Sequence, residues 1–401
     1  MSGWPNVPLG EVASFTRGIT FKAGEQVSPD TPKSVLCLRT KNIQGRLDLS
    51  DVWALPGHLA PSNPDKLLQS GDVLVSTANS WNLVGKCSQV KGLTRQATFG
   101  GFTSALRSTS KKLDQNYLYL WFNSPATQNA VRNTANKTTN IANLSIDRCE
   151  NIRIPLLPLE TQRRIVSTLN GAQETVARHE ELRKVALKIV VQLFEAHIRA
   201  SAWQETNLGS VAEFVRGITF PSGIQVAHDT PDSILCMRTS NVQEDLDLSD
   251  VWALPKEFAP ENPAKYLREG DILVSTANSW NLVGKCCYVP RLRRTSTFGG
   301  FISALRPRSE EVRPSFLYHW FKHPHTQARV RNTANQTTNI ANLSIKRCQQ
   351  LSIPVPPLEV QLQFEKDVEK VTQTLGEVDE ASHRARELHA SLQYRAFRGE
   401  L

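Results

Sequence analysis

The sequence has no apolar run approaching the ~18 residues that a membrane span requires, and its first residues, "MSGWPNVPLG", hold neither a basic stretch nor an apolar one. A chain that stays in the cytoplasm and off the membrane is expected. Seven of the 401 residues are cysteine, but none falls in a CxxC and none joins histidine at zinc-ligand spacing. Small buried thiols are therefore expected, and a metal is not. Catalytic signatures are missing as well: there is no GxSxG elbow, no GxxxxGK[ST] phosphate loop, no HExxH and no Asn-Pro-Pro-Tyr. "TFGGF" at 98–102 is glycine-rich, but no helix-opening pattern follows it, so it reads as a tight turn or bulge. The nine histidines are scattered. Neither a catalytic centre nor a cofactor is expected.

Against these absences stands a repeat. A shift of 199 residues lays "STANSWNLVGKC" at 76–87 on the same letters at 275–286, "RGITF" at 17–21 on 216–220, and "WALP" at 53–56 on 252–255. "VRNTANKTTNIANLSIDRC" from 131 meets its copy from 330 with changes only at Lys137/Gln336 and Asp147/Lys346. The shift runs from Trp4/Trp203 to Gln162/Gln361 without insertion or loss, over ~160 positions. Cys37, Cys87 and Cys149 match Cys236, Cys286 and Cys348, while no histidine matches another. The period far exceeds the ~20 to 50 residues of solenoid units, and each copy is long enough to bury its own core.

Each copy ends in a proline cluster, "IPLLPLETQ" at 154–162 and "IPVPPLEVQ" at 353–361, after which helix formers take over. Apolar residues then step by three and four through Ile165, Leu169, Ala172, Val176, Ala186, Ile189 and Leu193. The second series is Phe364, Val368, Val371, Leu375, Val378, Ala385, Leu388 and Leu392. Such a series is the seam of a long helix packed on another, and His179 and Ser382 interrupt it. Two helices of roughly 40 residues, ~60 Å each, pair antiparallel most simply; the alternative is an amphipathic helix lying on its own domain. Within a copy, "SVLCLRT" (34–40), "GDVLVST" (71–77) and "NIRIPLL" (151–157) read as strands, and "NYLYLWFNS" (116–124) and 127–133 as helix. The expected fold is α+β: two homologous mixed α/β domains at 1–158 and 201–357, separated by coiled-coil-like antiparallel helices at 159–200 and 358–401, with pseudo-two-fold symmetry.

The net charge is +9. The two copies and the first connector carry the excess and the last segment is slightly acidic, a balance that suits a polyanion. What the copies share is polar, basic and aromatic, the chemistry of contacts to base edges and phosphates. The candidates in the first copy are Arg17, Arg39, Lys41, Asn42, Asn79, Ser80, Trp81, Asn82, Lys86, Arg132, Asn136, Lys137 and Thr139, with Arg107 among them. Those in the second are Arg216, Arg238, Asn241, Asn278, Ser279, Trp280, Asn281, Lys285, Arg331, Asn335 and Thr338. Asn, Ser and Thr also cap helices and close turns, and tryptophan also fills cores.

A duplicated domain that opens "WPNVPLGEVASFTRGITF", carries "SGDVLVS…VGK" and runs "TTNIANLSIDRCENIRIPLLPLETQ" into a long helix resembles the DNA-specificity subunit of Type I restriction-modification systems. The resemblance implies two target recognition domains held apart by spacer helices, no chemistry of their own, double-stranded DNA as ligand, and methyltransferase and restriction/translocase subunits as partners. A related system with a fused nuclease-methyltransferase partner is an alternative, and so, from another class, is a tandem carbohydrate or peptide module. Because both copies carry nearly the same loops, a bipartite, near-palindromic target is expected. The differences Lys22/Pro221, Lys41/Ser240, Arg46/Asp245 and Lys137/Gln336 give the first copy more charge at plausible contacts.

Overall fold

A computed structural model describes residues 4–139, 141–199, 203–337, 340–398 and 400. Contacts divide the chain into two compact units, Met1–Glu180 with Glu380–Leu401, and Glu181–Asp379. Each unit therefore contains one sequence copy, the near end of the helix that follows it, and the far end of the other long helix.

In the first unit, "GDVLVS" forms the buried strand Val73–Ser76. It lies between Cys87–Gln89 and Thr103–Ser108, and the latter pairs in turn with Ala13–Arg17, all antiparallel. β-branched and small residues buried on both faces suit such a central strand. A second sheet sets Val35–Leu38 antiparallel to Trp53–Leu55 and parallel to Ala97–Phe99. The ends of the copy are tied together where Asn6–Pro8 pairs with Arg153–Pro155. Helices Gln115–Phe122 and Pro125–Asn133, capped by the Asp114 and Ser124 side chains, pack Tyr117, Leu118, Trp121, Phe122 and Val131 into the core. The second unit repeats the plan, with strands Ala212–Arg216, Ile302–Pro307, Ile272–Ser275 and Cys286–Tyr288 in one sheet and helices Pro314–Lys322 and Pro324–Asn332 against it.

The long helices are Leu159–Arg199 and Leu358–Ala396, of 41 and 39 residues. The glutamine after each proline cluster locks the helix start to the domain. Gln162 is wholly buried, donates to the carbonyls of Lys112 and Leu157 at 2.8 and 2.7 Å, and accepts from the Asp114 N–H at 2.8 Å. Gln361 does the same with Glu311, Pro356 and Arg313. Every polar atom of a side chain removed from water is thereby used.

Within the first unit, Ile165 and Leu169 at the start of the first helix share a core with Leu392, Ala396 and Phe397 at the end of the second. Arg386 bonds Glu180 at 3.0 Å farther along. Within the second unit, Arg183 meets Asp379 at 3.0 Å and His197 lies 3.7 Å from Asp367. Rising numbers on one helix meet falling numbers on the other, so the segments run antiparallel in each unit.

Toward the far ends Ile189 and Leu388 depart from the expected seam, while Leu193 and Leu392 keep to it by packing on the cores. Val190 and Phe194 are buried while Ile189 is 40% exposed, and Gln393 and Ala396 are buried while Leu388 is 57% exposed. A straight helix drifts ~20° per heptad against a strict 3.5-residue repeat. Over the ~24 residues from Ile165 to Ile189 this amounts to ~70°, more than half of the ~100° step between neighbouring residues, so the inward face moves toward the next position. His179 Nδ1 and Ser382 Oγ, the two seam interruptions, are buried without a hydrogen-bond partner. No helix of the described residues is long and apolar enough to cross a membrane.

Candidate nucleic-acid interface

The repeated loop closes on itself. Ser76 N–H donates to Lys86 O at 2.9 Å and Gly85 N–H donates to Ser76 O at 2.8 Å, so the letters between form a loop tied at its base. Val84 points into the core. Gly85 has φ +83°, and a Cβ there would sit 2.7 Å from Val131 of the neighbouring helix. Gly284 repeats this, with φ +81° and 2.8 Å to Val330. Glycine is the residue that meets both conditions.

Three loops then lie side by side. Ala78–Asn79 pairs with Ala142–Asn143, which pairs with Asn136–Lys137; Leu144 N–H reaches Thr77 O at 2.8 Å. On the other side of the same segment, Thr77 and Ala78 N–H both point at Phe102 O, at 2.9 and 3.3 Å. Arg17 donates its Nε to Gly101 O at 3.3 Å. The fold thus joins Arg17, Asn79, Ser80, Trp81, Asn82, Asn136, Lys137 and Thr139 into one rim. Ser80, Trp81, Asn82, Lys137, Thr138, Thr139, Ile141 and Ala142 line a shallow concavity on it. Ser80, Asn82, Asn136, Lys137 and Thr139 are exposed. Trp81 is half-buried against the core with Lys137 Nζ 5.4 Å from its ring. Asn136 accepts a hydrogen bond from Arg148, which no motif of the sequence singles out.

The second unit rebuilds the rim from Arg216, Asn278, Ser279, Trp280, Asn281 and Asn335. Ala277–Asn278 pairs with Ala341–Leu343, which pairs with Ala334–Gln336; Thr276 and Ala277 N–H meet Phe301 O at 2.9 and 3.3 Å; and Arg347 bonds Asn335. Thr338 lies outside the described residues. Gln336 replaces Lys137, so no cation faces Trp280 from that position.

The remaining candidates lie outside this ladder, and several of them are engaged within the fold. Asn42 is 1% exposed; it accepts from Arg39 N–H at 2.8 Å and donates to Asp48 O and Asp51 O at 2.8 and 2.9 Å. Asn241 is equally buried and bonded. These amides hold a loop from within, and neither is free for a further partner. The Arg39 guanidinium stacks 3.9 Å over Trp53 and bonds Asp51, and Arg238 stacks 4.4 Å over Trp252 and bonds Asp250. Arg107 is a half-buried staple on a buried carboxylate: Nε and Nη2 grip Asp72 at 2.7 Å each, with further bonds to the carbonyls of Asp65 and Leu67. Arg306 grips Asp271 in the same way at 2.5 and 2.7 Å. Lys86 and Lys285 are half-buried and reach Gln44 and Gln243. Lys41 is exposed and bonds Asp51, whose carboxyl its hydrogen bond and charge hold below the usual range. Arg132 and Arg331 are half-buried, each with a buried Nε that lacks a partner. Asp245, opposite Arg46 in the repeat, anchors Arg183 of the first long helix at 3.3 Å together with Glu244 at 2.8 Å. That difference between the copies therefore serves helix docking.

The cysteines are buried, and burial pushes the Cys37 and Cys236 thiols up to about 12. Among the described residues no group of three or more His, Cys, Asp or Glu could hold a metal.

Residues 1–186 and 200–377 both match the family described as "Type I restriction modification DNA specificity domain". Over its whole length the chain is 23% identical to the specificity subunit of the StySPI Type I restriction enzyme of Salmonella potsdam, covering 89% of it. It is also 23% identical, with the same coverage, to the EcoKI specificity subunit of Escherichia coli K12. Among solved structures, a chain from a study of assembly and conformational transition in the type I R-M system aligns over 100% of this chain and 98% of its own, with TM-score 0.56 and 22% identity. The S subunit of M. genitalium aligns over 98% and 96%, with TM-score 0.53 and 15% identity, which agrees in fold. The chain belongs to the family of DNA-specificity subunits of Type I restriction-modification systems, the non-catalytic subunits by which such complexes recognise DNA.

Proposed function

We propose that each rim meets one half of a bipartite DNA target, and that the two halves are nearly reverse complements separated by an unread spacer. The carrying observation is that the same backbone ladder presents Asn79, Ser80 and Asn82 in one copy and Asn278, Ser279 and Asn281 in the other. Exposed groups such as those of Ser80 and Asn82 bond base edges, Asn79 shapes the loop by donating to Ser76 Oγ and accepting from Ser80 N–H, and Arg17, Arg132 and Lys137 supply charge for phosphates. Two surfaces of the same chemistry read the same bases, and a two-fold reader meets them on opposite strands.

The long helices serve as spacer and as docking surface for methyltransferase subunits, with an ATP-driven restriction/translocase subunit completing the complex in the cytoplasm. In the first copy, Lys41 and Lys137 add charge where the second has Ser240 and Gln336, so the first half-site is held more tightly. The test is selection from a random duplex library with the assembled methyltransferase complex at several salt concentrations. Paired inverted half-sites, with affinity that falls steeply as salt rises, support the reading; affinity insensitive to salt refutes it.

A further inference from the structure

Phe102 and Phe301 occupy the last position of the repeated "TFGGF", a stretch to which the rim chemistry gives no role. Among the described residues they are the most exposed large apolar side chains, at 68% and 69%. Their backbone is clamped. Gly100–Thr103 closes as a turn with Thr103 N–H on Gly100 O at 2.9 Å, and the Phe102 carbonyl takes the two N–H bonds from Thr77 and Ala78. Gly18 crosses directly beneath, where a Cβ would lie 2.3 Å from the carbonyl oxygens of Phe99 and Gly100. Gly217 crosses Phe298 and Gly299 in the same way. The chain thus gives up side chains at Gly18 and Gly217 to let this turn seat, and the turn holds out a phenyl ring into water.

A single exposed apolar residue needs no explanation. A pair at the same exposure on two clamped turns, each beside Arg17 or Arg216 and in the row with Asn79 or Asn278, does. We propose that Phe102 and Phe301 are apolar wedges that press into a base step of DNA, one in each half-site, with Arg17 and Arg216 on the adjacent phosphates. The inference rests on the DNA-recognition reading of these rims and adds a residue type to it. Apolar side chains inserted at a base step partly unstack it and bend the duplex. A ring on a pre-set backbone does so without the cost of ordering a loop.

The experiment uses the full chain assembled with its methyltransferase subunits, and a duplex carrying the target found by methylation mapping. Binding is read by fluorescence anisotropy and bending by energy transfer between the duplex ends, for wild type, Phe102→Ala, Phe301→Ala and Phe102→Leu. Loss of one base–aromatic contact should weaken target binding about 5- to 160-fold and reduce the bend. Phe102→Leu should keep most of the bend, since leucine also serves as a wedge. Melting temperature and the salt slope should stay unchanged. Alanine variants that bind and bend the target as wild type does would overturn the proposal. So would a lower melting temperature, which makes the ring structural, or failed assembly, which makes the turn a subunit contact. Failure of the wild-type complex itself to bind duplex DNA in a salt-dependent way would overturn the recognition reading as well, and so is distinguishable from failure of the wedge alone.

Discussion

Phe194 tests how the long helices are held. It lies near the end of the first helix, yet it is 3% exposed in the core of the second unit. Its ring centroid is 5.5 Å from Phe316, 5.4 Å from Phe364 and 5.8 Å from His323. Phe194→Ala removes a fully buried ring and leaves a cavity between two helices and a domain, which costs about 3 to 5 kcal/mol. That is a large share of the ~5 to 15 kcal/mol typical of a folded domain. Leu388→Ala, at a position 57% exposed, is the matched control, expected within ~0.5 kcal/mol of wild type. Hydrogen–deuterium exchange read by peptide separates the units. Phe194→Ala should accelerate exchange in 314–322 and in 358–371, while 115–122 keeps its protection. Equal, small effects of the two substitutions would show that the helix end does not carry the second unit, and the docking account would fall.

Arg107→Ala and Arg306→Ala should each destabilise by about 3 to 5 kcal/mol, because Asp72 or Asp271 is left buried without its partner; chemical denaturation decides, and a change under 1 kcal/mol contradicts the staple. Asn82→Ala and Asn281→Ala, on exposed rim positions, should leave stability unchanged and relax preference at one base by about 1 to 3 kcal/mol, whereas Asn42→Ala should lower stability with no change in preference. Burial among aromatic rings pushes His319 down to about 3 from its ordinary 6.5. The folded state then refuses a proton that the unfolded chain accepts below pH 6.5, so stability is whole above that value and is lost as pH falls toward 3, on the order of 2 kcal/mol by pH 5. His319→Leu, which copies Leu120 of the first unit, should flatten that loss in thermal melts, and an unchanged slope would contradict it.

Much of this architecture is legible in the residues because it rests on local patterns. The duplication is plain text, "GDVLVS" carries the β-branched signature of a buried strand, and the proline clusters mark where helices begin. Other features depend on partners distant in sequence. Nothing near Asn42 reveals that its amide is consumed by Asp48 and Asp51, and nothing near Arg107 reveals that Asp72, 35 residues away, closes around it. Sequence alone does not separate such residues from contact residues, because buried and exposed polar residues have the same letters. The seam departs at Ile189 and Leu388 for a geometric reason: a heptad count assumes supercoiling, and these helices turn their last residues onto domains. Phe102 could have been found, since a large apolar residue kept at a glycine-rich turn in both copies has no packing partner within its own motif.

The central claim is that two like surfaces read two like half-sites. Mapping methylated positions across a genome that encodes this chain, by single-molecule sequencing, measures the target directly. The account predicts two short half-sites, one nearly the reverse complement of the other, with a fixed gap that places their centres about a helical turn apart. Unrelated half-sites, such as three bases on one side and four different ones on the other, would contradict it and assign base reading to the few positions at which the copies differ.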